Sequence, residues 1–306
     1  MFAVVIGVLF LTEYILPWAY DIFVLLLMMV AGYEMSKAIS NKYGKPINMI
    51  LLLYIVMGYT LFRVAHANFG RAGVTSFFAI FAILVIAALV YNMFSQRQNL
   101  SNVISTVFCM IYPMSIMIYM LALNYLNVGT EAVKGLAFTD WGYDPFATGE
   151  FVPNYRAIAV VSVIACSCLT DIFAMLVGMI FKGPKLAPHI SPKKTVSGSI
   201  GGLFGAILAA GVVLCIGYTG FMGLTPLSNI VWINILLYLG MALGIGVFTQ
   251  VGDLIASYVK RYCEIKDYGR LFPGHGGMLD RIDGIILSSV FIFAYLSSII
   301  MIIELL

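Results

Sequence analysis

Charge is what this chain has least of. Asp, Glu, Lys and Arg make up only 10% of its 306 residues, whereas 62% are hydrophobic. A water-soluble domain needs a polar exterior, so that balance excludes one. With a mean hydropathy of +1.01, the chain reads as a polytopic membrane protein. Histidine is almost missing as well: His66, His189 and His275 are scattered, which argues against a His-rich zinc site. Cysteine is sparse, with Cys109, Cys166, Cys168 and Cys215 in apolar runs and Cys263 in a polar loop. Neither a disulfide framework nor metal-ligand spacing follows from them. There is no internal repeat, no low-complexity tract, no Walker loop and no dinucleotide-binding glycine fingerprint, which speaks against an ATP-driven pump. The net charge of +3 is a bias of inside loops rather than a nucleic-acid footprint.

Long apolar runs occupy the rest. A helix crosses a hydrocarbon core of about 30 Å with about 20 residues, and nine stretches are read as spans: 2–16, 20–38, 47–62, 74–94, 103–123, 157–181, 200–218, 230–251 and 284–304. They are continuous rather than alternating, and in lipid each segment must satisfy its own backbone. The expected fold is therefore all-α, with about nine transmembrane helices and no barrel. The first run reads as a retained helix, because Glu13 lies inside it and no basic segment precedes it. With the N-terminus inside, Lys37, Lys42, Lys45, Arg97, Lys182, Lys185, Lys193, Lys194, Lys260, Arg261, Lys266, Arg270 and Arg281 face the cytoplasm. Only Arg63, Arg71, Lys134 and Arg156 face out, the bias that the positive-inside rule describes. The chain thus divides into scaffold helices (1–125), an extracytoplasmic loop (126–156) and a C-terminal region (157–306) with two polar cytoplasmic loops. The expected location is the plasma or inner membrane, with the active face towards the cytoplasm.

Three groups of residues carry possible chemistry. Asp171 lies ten residues before the end of its run, about 15 Å deep by helix rise. A carboxylate there costs about 3 kcal/mol on insertion scales unless it meets a partner or a water-filled cavity; a polar contact between helices and a cation ligand both fit. The loop 182–199 brings Ser191, Lys193, Lys194 and Thr195 to the start of a glycine-rich helix. Hydroxyls, ammonium groups and free helix N–H groups together suit phosphate oxygens, although inside-flank charge explains the lysines equally. Gly198, Gly201, Gly202 and Gly205 are read as close-packing positions. The third group joins Asp253 to Asp280 and Asp283, which fall on one face if the last helix has begun. Oxygen-only ligands suit magnesium, while helix-start capping is the commoner use of such carboxylates.

The order S-x-x-K-R-x4-K-D-x-G-x3-P-G-H-G-G-x-x-D-R-x-D closely resembles the signature of the phosphatidate cytidylyltransferase (CDP-diglyceride synthetase) family. Ser257, Lys260, Arg261, Lys266, Asp267, Gly269, Pro273, Gly274, His275, Gly276, Gly277, Asp280, Arg281 and Asp283 carry it. Gly252-Asp253 and the Lys185–Pro188 and Ser191–Thr195 segments match the family's other polar motifs, and Asp171 stands where the family has an intramembrane aspartate. The resemblance covers 170–306. Val196 and Ser197 depart from it where an aromatic residue and a glutamate are common, and so does Ile172, where threonine is frequent.

The resemblance implies condensation of CTP with phosphatidate to CDP-diacylglycerol and pyrophosphate, in a homodimer that binds no nucleic acid. It implies Asp253, Asp280, Asp283 and Lys260 as catalytic residues. Magnesium would be held by Asp171, Asp253, Asp280 and Asp283, with a monovalent companion ion left open. Ser191, Lys193, Lys194, Thr195, Ser257, Arg261, Lys266, His275, Gly276, Gly277 and Arg281 would bind substrate. A related CTP-dependent enzyme acting on an isoprenoid-ether phosphatidate or a polyprenol is the alternative, and a membrane transporter is a more distant one. A CDP-alcohol phosphatidyltransferase would show D-G-x-x-A-R, which the chain lacks.

Overall fold

The computed structural model describes residues 7–8, 18–69, 72–95, 99–126, 153–221, 224–228, 230–271 and 276–305. Its elements are α1 (Ala19–Ser40), α2 (Asn48–Phe69), α3 (Ala72–Phe94), α4 (Leu100–Cys109), a π-helical turn (Met110–Ser115), α5 (Ile116–Ala122) and a 3₁₀ turn (Leu123–Tyr125). After these come α6 (Tyr155–Phe181), β1 (Lys185–Ala187), β2 (Ser191–Thr195), α7 (Val196–Gly217), α8 (Val231–Tyr262) and α9 (Leu279–Leu305).

Seven helical segments of the described residues are long and apolar enough to cross a membrane, so the protein is a multi-pass membrane protein. Among the described residues the count is about seven, not the nine expected. The run 47–62 lies in α2, whose apolar stretch Asn48–Val64 falls short of a span's length among the described residues, and the run 2–16 lies almost wholly outside them, as does most of the loop 126–156. The span from Leu100 to Tyr125 is broken in the middle: Tyr112 leaves helical dihedrals (φ −125°, ψ 118°) beside Pro113, whose missing N–H cannot continue the ladder.

Local chemistry sets the boundaries. Asn99, Asn154 and Thr195 cap α4, α6 and α7 by accepting backbone N–H groups of Ser101, Ala157 and Gly198, each satisfying a donor that has no partner inside the helix. At the end of α8, Ile265 N–H donates to Lys260 O and Glu264 N–H to Arg261 O. Glu264 stands in the left-handed region (φ 57°), so the stop is a Schellman motif with glutamate where glycine is usual. The polar loop after α6 is not irregular. It is an antiparallel hairpin, with Lys185 opposite Thr195 and Ala187 opposite Ser191, a small exception to the all-helical expectation.

The described residues group into two compact units. The first draws on Met1–Asp21, Met120–Ser257 and Asp283–Leu306, the second on Ile22–Tyr119 and Tyr258–Ile282. In the first, α6 and α7 pack backbone to backbone. A methyl group on Gly205 would lie 2.5 Å from Leu169 O, and one on Gly198 2.6 Å from Ala174 O. Small residues are what such a crossing requires when lipid supplies no hydrophobic drive. A hydroxyl cluster is buried between α6, α8 and α9: Ser167 and Ser288 each lie 2.9 Å from Thr249 Oγ1. In the second unit, Tyr54, Phe62, Phe77, Met110 and Met114 are fully buried. Large apolar side chains such as Ile83, Ile180, Trp232 and Leu236 face outward, an exterior matched to acyl chains rather than water.

Candidate functional site

In the first unit, the alternation of a strand sorts the two lysines of the hairpin. Neighbouring side chains on β2 point to opposite faces; Lys193 is exposed, while Lys194 Nζ reaches Asp253 Oδ2 at 2.6 Å. Ser257, one turn further along α8, donates to Asp253 Oδ1 at 3.3 Å. Asp171, exposed on α6, feels the charges of both Asp253 and Lys194. Three candidate residues distant in sequence therefore converge. Asp171 stands ten residues before the end of α6 at Phe181 and is exposed.

Two further contacts hold this arrangement. Gln250, one turn before Asp253, accepts from Ser199 Oγ (2.5 Å) and donates to Ser199 O (3.1 Å), tying α8 to α7. Gly252 lets α8 approach α9: a methyl group there would sit 2.5 Å from Asp283 O. That explains the glycine before Asp253 and brings the backbone of Asp283 alongside. Asp283 Oδ1 accepts from Gly284 N–H at 2.8 Å. Thr195, expected to touch substrate, has its hydroxyl committed as the cap of α7, accepting from Gly198 N–H at 3.1 Å. Ser191 opens β2 and is half-buried.

In the second unit, the signature segment organises itself around Asp280. Lys260 Nζ donates to Asp280 Oδ1 at 2.8 Å, and the N–H groups of Tyr268 and Gly277 donate to Oδ2 at 2.9 and 3.0 Å. Lys260 Nζ also lies 5.6 Å from the centre of the Tyr268 ring. Gly276 adopts φ 83°, a turn conformation that L side chains resist. Arg261, Lys266 and Arg281 are exposed. His275 lies outside the described residues. The residue that sequence reasoning missed is Glu34, buried in α1. It accepts backbone N–H groups from Met278 (2.9 Å) and Leu279 (2.8 Å) at the start of α9. Its signal was, like that of Asp171, a carboxylate inside an apolar run.

Among the described residues no three His, Cys, Asp or Glu side chains gather as a metal-ligand set. Magnesium, however, is commonly held by one or two carboxylates, with water and substrate phosphates completing its shell. Asp171 and Asp253 fit that description: two like charges within electrostatic reach, balanced at present by Lys194. Asp280 fits less well, since Lys260 and two backbone amides already occupy both of its oxygens.

Comparison with known proteins matches residues 1–299 to the cytidylyltransferase family. Among curated relatives, a phosphatidate cytidylyltransferase of Rickettsia conorii is 42% identical over 123 residues, 40% of this chain and 51% of that protein. One of Brucella abortus is 41% identical over 130 residues, 41% of this chain and 42% of that protein. One of Rickettsia typhi is 43% identical over 123 residues. The chain thus spans about half the length of the curated relatives it matches, or less.

Proposed function

This chain belongs to the cytidylyltransferase family, and from that premise we propose that it condenses CTP with phosphatidate at the membrane surface, forming CDP-diacylglycerol and pyrophosphate. The observation that carries the reading is the convergence of Lys194, Asp253 and Asp171 at the end of the α6–α7 pair, supported by relatives named phosphatidate cytidylyltransferase. A phosphate oxygen of the lipid forms a bond to the α-phosphorus of CTP, the bond from that phosphorus to the α–β bridging oxygen breaks, and pyrophosphate leaves. No protein nucleophile is required, so catalysis consists of aligning two polyanions and neutralising them.

Asp171 and Asp253 are the proposed magnesium ligands, with Asp283 beside them. The ion would supply charge neutralisation on the phosphates. Lys193 and Lys194 would bind phosphate oxygens, Lys194 from the place where it pairs with Asp253. Ser257 orients Asp253. From the motif, Arg261, Lys266, His275 and Arg281 are assigned to phosphate binding, and Asp280 with Lys260 to holding the signature loop in shape.

The test is pyrophosphate release and CDP-lipid formation by purified protein in detergent with CTP, magnesium and phosphatidate. Asp253→Asn keeps the volume and removes the charge; it is expected to lower kcat/KM by about 10²- to 10³-fold, the scale of losing one preorganised electrostatic group. Wild-type protein that is folded yet makes product only from a polyprenol or an isoprenoid-ether phosphatidate would move the assignment to that lipid. Activity of Asp253→Asn equal to wild type would remove the carboxylate from the site.

A further inference from the structure

Glu34 is 5% exposed and lies in an apolar helix, where an ionised carboxylate survives only if its oxygens are satisfied. Both are. Oε1 accepts from Met278 N–H and Oε2 from Leu279 N–H, two amides at the opening of α9, where the helix leaves donors unpaired and the backbone dipole favours negative charge. The cap comes from 244 and 245 residues away along the chain, not from a neighbour. The loop is also moulded to it. A methyl group on Gly277 would sit 2.6 Å from both carboxylate oxygens, and one on Gly269 would collide with Oε1. Two glycines of the signature therefore face one side chain of the first half of the chain. The next residue in α9 is Asp280, whose oxygens take Lys260 Nζ and the amides of Tyr268 and Gly277.

We propose that Glu34 is a positioning residue for the signature loop: its carboxylate sets where α9 begins and thereby sets the geometry of the Lys260–Asp280 pair. The catalytic consequence rests on the cytidylyltransferase reading above; the structural part does not. Glu34 touches no substrate in this account. It acts through the backbone of Met278 and Leu279.

The experiment pairs hydrogen–deuterium exchange with turnover, using full-length protein in detergent and the variants Glu34→Gln and Glu34→Asp. Glutamine has the size of glutamate but turns an NH₂ towards one of the two amides. Aspartate is shorter and keeps both acceptor oxygens. A packing role ranks glutamine above aspartate; a capping role ranks aspartate above glutamine. Glu34→Gln is expected to raise exchange in 276–282 by about tenfold, the effect of a lost cap, with no change in 158–166 of α6. Its kcat should fall about 10- to 100-fold, the scale of displaced catalytic geometry, and Glu34→Asp should fall less. Gly277→Ala, which presses on the same carboxylate from the loop side, should show the same local exchange and decides the matter if the Glu34 variants do not fold. Unchanged exchange in 276–282, an equal rise in 158–166, or glutamine outperforming aspartate would overturn the proposal. Wild-type protein that makes no CDP-lipid would sink the functional reading alone, and the exchange pattern would still decide the role of Glu34.

Discussion

Individual side chains here are defined by what balances their charge. Asp280 and Lys260 are mostly buried, with 7% and 15% of their side chains exposed, so removing either leaves the other uncompensated. Lys260→Met is expected to destabilise the protein by on the order of 3 kcal/mol, read as a lower thermal midpoint in detergent. Lys260→Met with Asp280→Asn should recover part of that loss, because no buried charge then remains. Cys263 offers a second check. Burial pushes its thiol above the usual range, and nearby Lys42 opposes that only in part. A raised pKa means less thiolate at neutral pH, and thiolate is the reactive form. Alkylation of Cys263 at pH 7 should therefore run at least about tenfold slower in folded than in unfolded protein, measured by mass spectrometry. The residue-level reading from sequence singled out Asp171, Lys194 and Asp253 by type and motif spacing, and the structure brings these three near one another. It missed Glu34, whose carboxylate in an apolar run was a signal, because the amides it caps lie 244 residues away and its role cannot be read locally.

At the scale of elements, glycine decides how the helices meet. The stripe Gly198, Gly201, Gly202 and Gly205 was legible as a packing face, and the structure shows α6 seated against it. Gly205→Val would place carbon against Leu169 O and Phe173 Cβ, at 2.5 and 2.8 Å from the first added atom. Backbone cannot yield as a side-chain tip does, so a loss of at least about 1–3 kcal/mol is expected. The check is the yield of monodisperse protein by size-exclusion chromatography, set beside Gly211→Ala, where an added methyl group meets nothing within 4 Å. The hairpin between α6 and α7 was not legible. Its residues, KLAPHISPKKT, carry prolines and charges that read as loop, and only pairing across the turn makes them strands. That pairing is what separates Lys193 from Lys194.

For the molecule as a whole, apolar length was the clearest signal, since a bilayer accepts little else. The nine runs exceed the seven spans found among the described residues: the apolar stretch Asn48–Val64 of α2 falls short of a span's length there, and the run 2–16 lies almost wholly outside them. The distribution of lysine and arginine leads to a further expectation. Cysteines introduced at Lys193 and Lys266 in a cysteine-free background should both label with a membrane-impermeant maleimide from the cytoplasmic side only, and one at Arg63 from the opposite side. Labelling of Lys193 and Lys266 positions from different faces would break the proposed topology. The sequence by itself determined the membrane class, the helical architecture and the family motif, because these depend on composition and on spacing within short stretches. Only the tertiary structure decided that Lys194 pairs with Asp253, that Asp280 is claimed by Lys260 and two amides, and that Glu34 caps α9. Each of those joins residues far apart in the chain, and the partner of a buried charge is settled by which backbone folds next to it, not by which residue precedes it.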